Sequence, residues 1–142
     1  LPSLAEAVIN FRILPGETVA EVIDRVRTVI TDERVTLTPL PNNAWEPSPV
    51  SPSDGPAYHH ITTVVCELYP GATCAPNAML GATDSRHCHA VSDRVYRFTP
   101  ILSRKEDIER IHGINERLSV ENMSLMVKFF YRLIQRWSCG KM

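Results

Sequence analysis

The order of elements in this chain predicts an α/β protein in two unequal parts. Three features carry that reading: a strand–helix–strand pattern in the first 40 residues, a Pro-rich break behind it, and a rear stretch ending in a long amphipathic helix. At 142 residues and 44% hydrophobic, the chain is long enough for one ordinary core or for two small half-domains sharing one.

The segment "LAEAVINFRIL" (4–14) alternates, with Ala5, Ala7, Ile9, Phe11 and Ile13 on one face and Glu6, Asn10 and Arg12 on the other. Pro15-Gly16 stops it. Thr18 with Glu21 three residues later has the spacing of a capping box, and Val19, Val22, Ile23, Val26, Val29 and Ile30 follow at helical spacing. "RVTLTPL" (34–40) reads as the second strand. From Pro39 to Pro56, both included, there are six prolines, a composition that holds neither helix nor central strand and reads as a hinge over 41–55.

Behind the hinge, Asp54 is placed to cap a helix with Pro56 in its first turn. Ala57, Ile61, Val64, Val65 and Leu68 form its stripe up to Pro70-Gly71. "ATCAPNAML" (72–80) and "RVYRFTP" (94–100) read as strands around a polar loop at 81–92, and "RKEDIER" as one or two helical turns. The last helix starts at Ser119. Its apolar face is Val120, Met123, Met126, Val127, Phe130, Leu133, Ile134 and Trp137, with Lys128, Arg132 and Arg136 outside.

Charge narrows the function classes. Fifteen basic and sixteen acidic residues give a net −1, and no run of like charge reaches five, so nucleic acid is not an expected partner. The apolar runs fall short of the roughly 18 residues a membrane span needs, and "LPSLAEAV" lacks the basic start of a signal peptide. Without an initiator Met the chain reads as a piece of something longer. Cys66, Cys74, Cys88 and Cys139 form no C-x-x-C pair, which argues for free thiols, with disulfides and the compartment left open.

Two stretches concentrate chemistry. In "GATDSRHCHAVSD" (81–93) a glycine followed by small and hydroxyl residues lets backbone N–H groups approach a ligand, and Arg86 offers a bidentate fork; the alternative is a solvated loop. His87 and His89 lack further ligands at metal spacing. In "RIHGINERLSVEN" (110–122), His112 sits in a tight polar turn that nothing local explains, either as a ligand or as a surface residue. Arg12 is either a solvated strand charge or a carboxylate anchor facing a cleft. No H-E-x-x-H, G-x-S-x-G or phosphate-binding glycine loop is present.

Taken in order, "AVINFRILPGET", "EPSPVSPSDGPAYH", "GATDSRH", "VYRFTPIL" and "IHGINERLSVEN" resemble the C-terminal half of the binuclear zinc metallopeptidases that include aminoacylase, carboxypeptidase S and glutamate carboxypeptidase. The likeness is strongest to the carboxypeptidase S and N-fatty-acyl-amino-acid synthase/hydrolase branch. It implies that 1–40 are the second half of a ferredoxin-like lid and dimerisation domain, 41–55 the hinge, and 56–142 the C-terminal portion of an α/β catalytic domain. By that resemblance His112 is a metal ligand. Arg12 holds the free carboxylate of the substrate, and Gly81, Thr83 and Arg86 belong to the loop beside the metals. Ala82 departs from the commoner second glycine.

The resemblance further implies an intact enzyme with two zinc ions, an N-acyl amino acid or peptide substrate, and a homo-oligomer. The remaining ligands and the general base are expected outside this chain, which alone should be inactive and hold no zinc tightly. The competing readings are a non-catalytic interaction module and a pseudoenzyme of the same descent.

Overall fold

The computed structural model describes residues 2–139 of the chain and divides them into two compact units. The first comprises 2–50 with Ala78–Asp93, the second Ser51–Asn77 with 94–139. The division at Val50 falls inside the Pro-rich stretch, and the 78–93 loop belongs with the front part.

In the first unit, α1 (Val19–Ile30) forms where the capping box places it. The Glu21 backbone N–H donates to Thr18 Oγ1 at 3.2 Å, and the Thr18 N–H donates to Glu21 Oε2 at 2.8 Å. A second acid joins them. The Glu46 carboxylate accepts from the Val19 N–H at 3.1 Å, so the Pro-rich segment returns to α1 and sets a negative charge on its N-terminus. Val19, Val22, Ile23, Val26 and Ile30 are half-buried, whereas Val29 is exposed. Thr31 ends the helix in the left-handed region at φ 50°. Thr18→Ala is expected to weaken α1 by about 1 kcal/mol, read as faster amide exchange confined to its first turn.

The second unit is built on α2 (Pro56–Leu68) and α5 (Val120–Cys139), the only pair of helices among the described residues in extensive contact. Gly55 rather than Asp54 caps α2, with Pro56 at its first position. Gly55 is buried, and the Arg94 guanidinium occupies the space a Cβ would need, which favours a residue without a side chain there. Ser119 caps α5 as the sequence predicts, its Oγ accepting from the Asn122 N–H at 3.0 Å.

The core is Val64, Val65, Phe129 and Leu133, flanked by Ile61, Leu68, Tyr69 and Cys74. Phe98 packs on Phe129 with ring centroids 5.4 Å apart. This differs from the expected apolar face of α5. Phe129 rather than Phe130 is the buried ring, and Met123, Val127, Phe130, Ile134 and Trp137 remain exposed. Apolar residues cover more than half the circumference of this helix, so α2 selects the inward stripe. Glu67 on α2 pairs with Arg132 at 3.4 Å and with Arg136.

None of the four segments read as strands, 4–14, 34–40, 72–80 and 94–100, forms a ladder among the described residues. An alternating segment becomes a strand only against a partner, and Pro76 removes a donor from the middle of 72–80. The 94–100 segment finds side chains instead. Ser51 Oγ accepts from the Val95 N–H and donates to the Val95 carbonyl, both at 2.9 Å, and the Tyr96 hydroxyl donates to the Pro52 carbonyl at 2.7 Å. Just beyond, the Asn122 side-chain amide brackets Leu102, accepting from its N–H at 2.9 Å and donating to its carbonyl at 3.1 Å. Two single-turn helices, α3 (Ser85–Cys88) and α4 (Lys105–Ile108), complete the chain. No helix among the described residues is long and apolar enough to cross a membrane.

Candidate functional site

Gly81, Thr83 and Arg86 lie together in the first unit, on a loop more ordered than its composition suggests. Successive turns tie it to itself: the Arg86 N–H donates to the Thr83 carbonyl at 3.2 Å, the His87 N–H to Asp84 at 3.0 Å, and the Val91 and Ser92 N–H groups to Cys88 at 3.0 Å. The result is α3, one helical turn where a polar loop is expected. A Cβ at Gly81 would meet Met79 Sδ at 3.7 Å, an ordinary contact, so space alone does not demand glycine here. Thr83 is exposed and its hydroxyl faces that of Ser85.

Arg86 is half-buried. Its guanidinium lies 3.8 Å above the Trp45 ring, and its Nε–H donates to His87 Nε2 at 3.2 Å. The stack and the Nε–H bond hold the guanidinium plane in one orientation, which a flexible surface arginine lacks. Trp45 was not among the candidate residues of the sequence. It sits 41 positions before Arg86, in a stretch whose prolines signal only a hinge. Arg12 belongs to the same unit and is exposed, in the irregular 4–14 segment.

His112 lies in the second unit, exposed, between α4 and α5. Its backbone is in the left-handed region, φ 60°, and so is that of Asn115 at φ 62°. A residue with a Cβ adopts that conformation only when its surroundings require it. Here the Glu116 carboxylate accepts from the His112 N–H at 3.1 Å, and the Gly113 N–H donates to the Arg110 carbonyl at 2.8 Å. One end of the turn is anchored by α4, where the Arg104 N–H donates to Asp107 Oδ2 at 3.0 Å and Arg110 pairs with Asp107 at 3.0 Å. The Arg104 backbone bond, with Arg110 and Arg104 nearby, holds the Asp107 carboxyl below the usual range. The turn therefore presents an imidazole from a fixed backbone.

An exposed histidine so held suits one position in a metal's coordination shell. It does not make a site by itself: among the described residues, no three His, Cys, Asp or Glu side chains come together to hold a metal ion.

No family model matches the chain, and no solved structure matches it. Curated proteins do. The chain is 44% identical over 136 residues to the N-fatty-acyl-amino acid synthase/hydrolase PM20D1 of Xenopus tropicalis, covering 95% of this chain and 26% of that protein. Its identity to the human protein of the same name is 41% over 138 residues, covering 95% of this chain and 27% of the relative. A probable carboxypeptidase S-like protein of Dictyostelium discoideum is 36% identical over 135 residues, with 95% and 26% covered. The chain thus spans about a quarter of the length of these relatives. Over 95% of its length the chain is thus homologous to a quarter-length stretch of carboxypeptidase S-like proteins and N-fatty-acyl-amino acid synthase/hydrolases.

Proposed function

We propose that this chain is part of a zinc-dependent amidohydrolase or carboxypeptidase that cleaves, or forms, the amide bond of N-acyl amino acids or of C-terminal peptide bonds. The observation that carries the reading is the 36–44% identity over 95% of the chain to relatives named for those reactions. His112 supplies one ligand to one of two zinc ions. The fixed left-handed turn supports this role, because it sets the imidazole's direction before the metal arrives. When bound, zinc supplies Lewis-acid polarisation of the amide carbonyl and acidifies a water. The other ligands and the general base come from outside these residues.

Arg12 binds the free carboxylate of the substrate, and the 81–86 loop borders the same substrate. Arg86 has its Nε–H committed to His87, so it meets a ligand with the Nη end of its fork. The 4–14 and 34–40 segments belong to a ferredoxin-like lid that is completed by strands outside the chain and carries a homo-oligomer contact. That assignment accounts for alternating segments without a partner here.

Arg12→Ala in the full-length enzyme tests the reading. KM for an N-acyl amino acid is expected to rise roughly 10- to 100-fold, the range of a lost charge-assisted bond, while the corresponding N-acyl amino-acid amide is hardly affected. Equal changes on both substrates would remove Arg12 from the site.

A further inference from the structure

Two of the four cysteines, Cys66 and Cys74, lie on the two arms of a chain reversal at the end of α2. α2 stops at Leu68, and Tyr69-Pro70-Gly71 reverses the chain, with the Ala72 N–H donating to the Tyr69 carbonyl at 2.9 Å and Gly71 at φ 87°. The reversal lays 72–74 back along the last turns of the helix. Cys66 Sγ–H reaches the Ala72 carbonyl at 3.8 Å, and Cys74 Sγ–H reaches the Thr62 carbonyl at 3.9 Å. In an α-helix the carbonyl of residue 62 also accepts from the N–H of residue 66, so the Cys74 sulfur rests against the turn that bears Cys66.

Each thiol thus contacts a carbonyl of the stretch that carries the other. The reversal is held from its far side, where the Tyr69 hydroxyl donates to the Pro100 carbonyl at 2.7 Å and Cys74 packs on the Val64–Phe129 core.

We propose that Cys66 and Cys74 form a thiol–disulfide site, closed by a low-molecular-weight disulfide such as oxidised glutathione and locking the 72–74 segment onto the end of α2. Cys66 is exposed and Cys74 half-buried, which orders the steps. Burial pushes the Cys74 thiol up, and the Cys66 sulfur pushes the same way, so Cys74 gives up its proton less readily than an ordinary thiol. Cys66 loses its proton and attacks one sulfur of the small disulfide, forming a mixed disulfide and releasing one small thiol. Cys74, losing its proton in turn, attacks the Cys66 sulfur; the Cys66–Cys74 bond forms and the second small thiol leaves. Two protein thiols are oxidised by two electrons and one small disulfide is reduced to two thiols. The arrangement was not visible as a motif, because a spacing of eight residues becomes a contact only through the Pro70-Gly71 reversal.

The test uses the full chain, reduced, then equilibrated with reduced and oxidised glutathione, alkylated and digested with trypsin. No Lys or Arg lies between 35 and 85, so Cys66 and Cys74 fall in one peptide, separate from Cys88 and Cys139. That peptide is expected to lose the mass of two hydrogens and take up no alkylating agent, while Cys88 and Cys139 are not joined to it. Cys74→Ser should trap glutathione on Cys66, and Cys66→Ser should leave Cys74 largely reduced. Glutathione on both cysteines of the unsubstituted chain, a crosslink from either to Cys88 or Cys139, or full alkylation of both in oxidised glutathione would overturn the proposal.

Discussion

Phe129→Ala is expected to cost about 3–5 kcal/mol and to melt α2 and α5 together, the largest stability effect of any single side chain here. Phe129 is 1% exposed and touches the rest of a very small core: Val64, Val65 and Leu133 are the other buried hydrophobic residues described. Its ring also seats Phe98, through which the 94–100 segment reaches the helices. Phe130 is the control. It is 44% exposed, so Phe130→Ala removes a half-wetted ring and should cost under about 1 kcal/mol. Denaturant unfolding followed by helical circular dichroism separates them. A loss at Phe130 equal to that at Phe129 would mean that α5 turns a different face to α2.

The second large effect falls on activity. In the full-length enzyme His112→Asn is expected to lower kcat/KM by more than about 100-fold, beyond what the loss of a residue that merely supports a metal ligand costs. The melting temperature should scarcely move. Asparagine is chosen because it tolerates φ near 60° better than other side chains, so the turn held by Glu116 survives while the imidazole is lost. His112→Ala strains the backbone as well and should add about 1 kcal/mol of destabilisation to the same kinetic loss. Stability falling in proportion to activity in both variants would make His112 a turn residue only.

These two side chains also mark what a sequence can reveal. Helix starts were legible because their signals are local: Thr18 with Glu21, Pro56 at a first turn and Ser119 before a periodic run each satisfy N–H groups within a few residues. The cap of α2 lies one residue beyond Asp54, at Gly55, where the Arg94 guanidinium from 39 positions away fills the space of a side chain. The inward stripe of α5 differs from its periodicity for a similar reason. When apolar residues surround a helix, periodicity no longer names the buried side, and Val64 and Val65 decide it.

Strand pattern is weaker still, since alternation states which face a segment would bury and not what it pairs with. Of the candidate site, the 81–86 loop and His112 stood out by composition and resemblance, and the left-handed backbone at His112 gave the turn a physical cause. Trp45 under Arg86 and the approach of the Cys74 segment to the end of α2 have no local signature. Each depends on a reversal or return of the chain.

Whether His112 is a metal ligand in an amidohydrolase is decided by the zinc content of the full-length protein after purification and dialysis. Two zinc ions per chain are expected in the unsubstituted protein, with the loss of one or both in His112→Asn and the fold retained. Two zinc ions retained in His112→Asn, with affinity unchanged, would contradict that role.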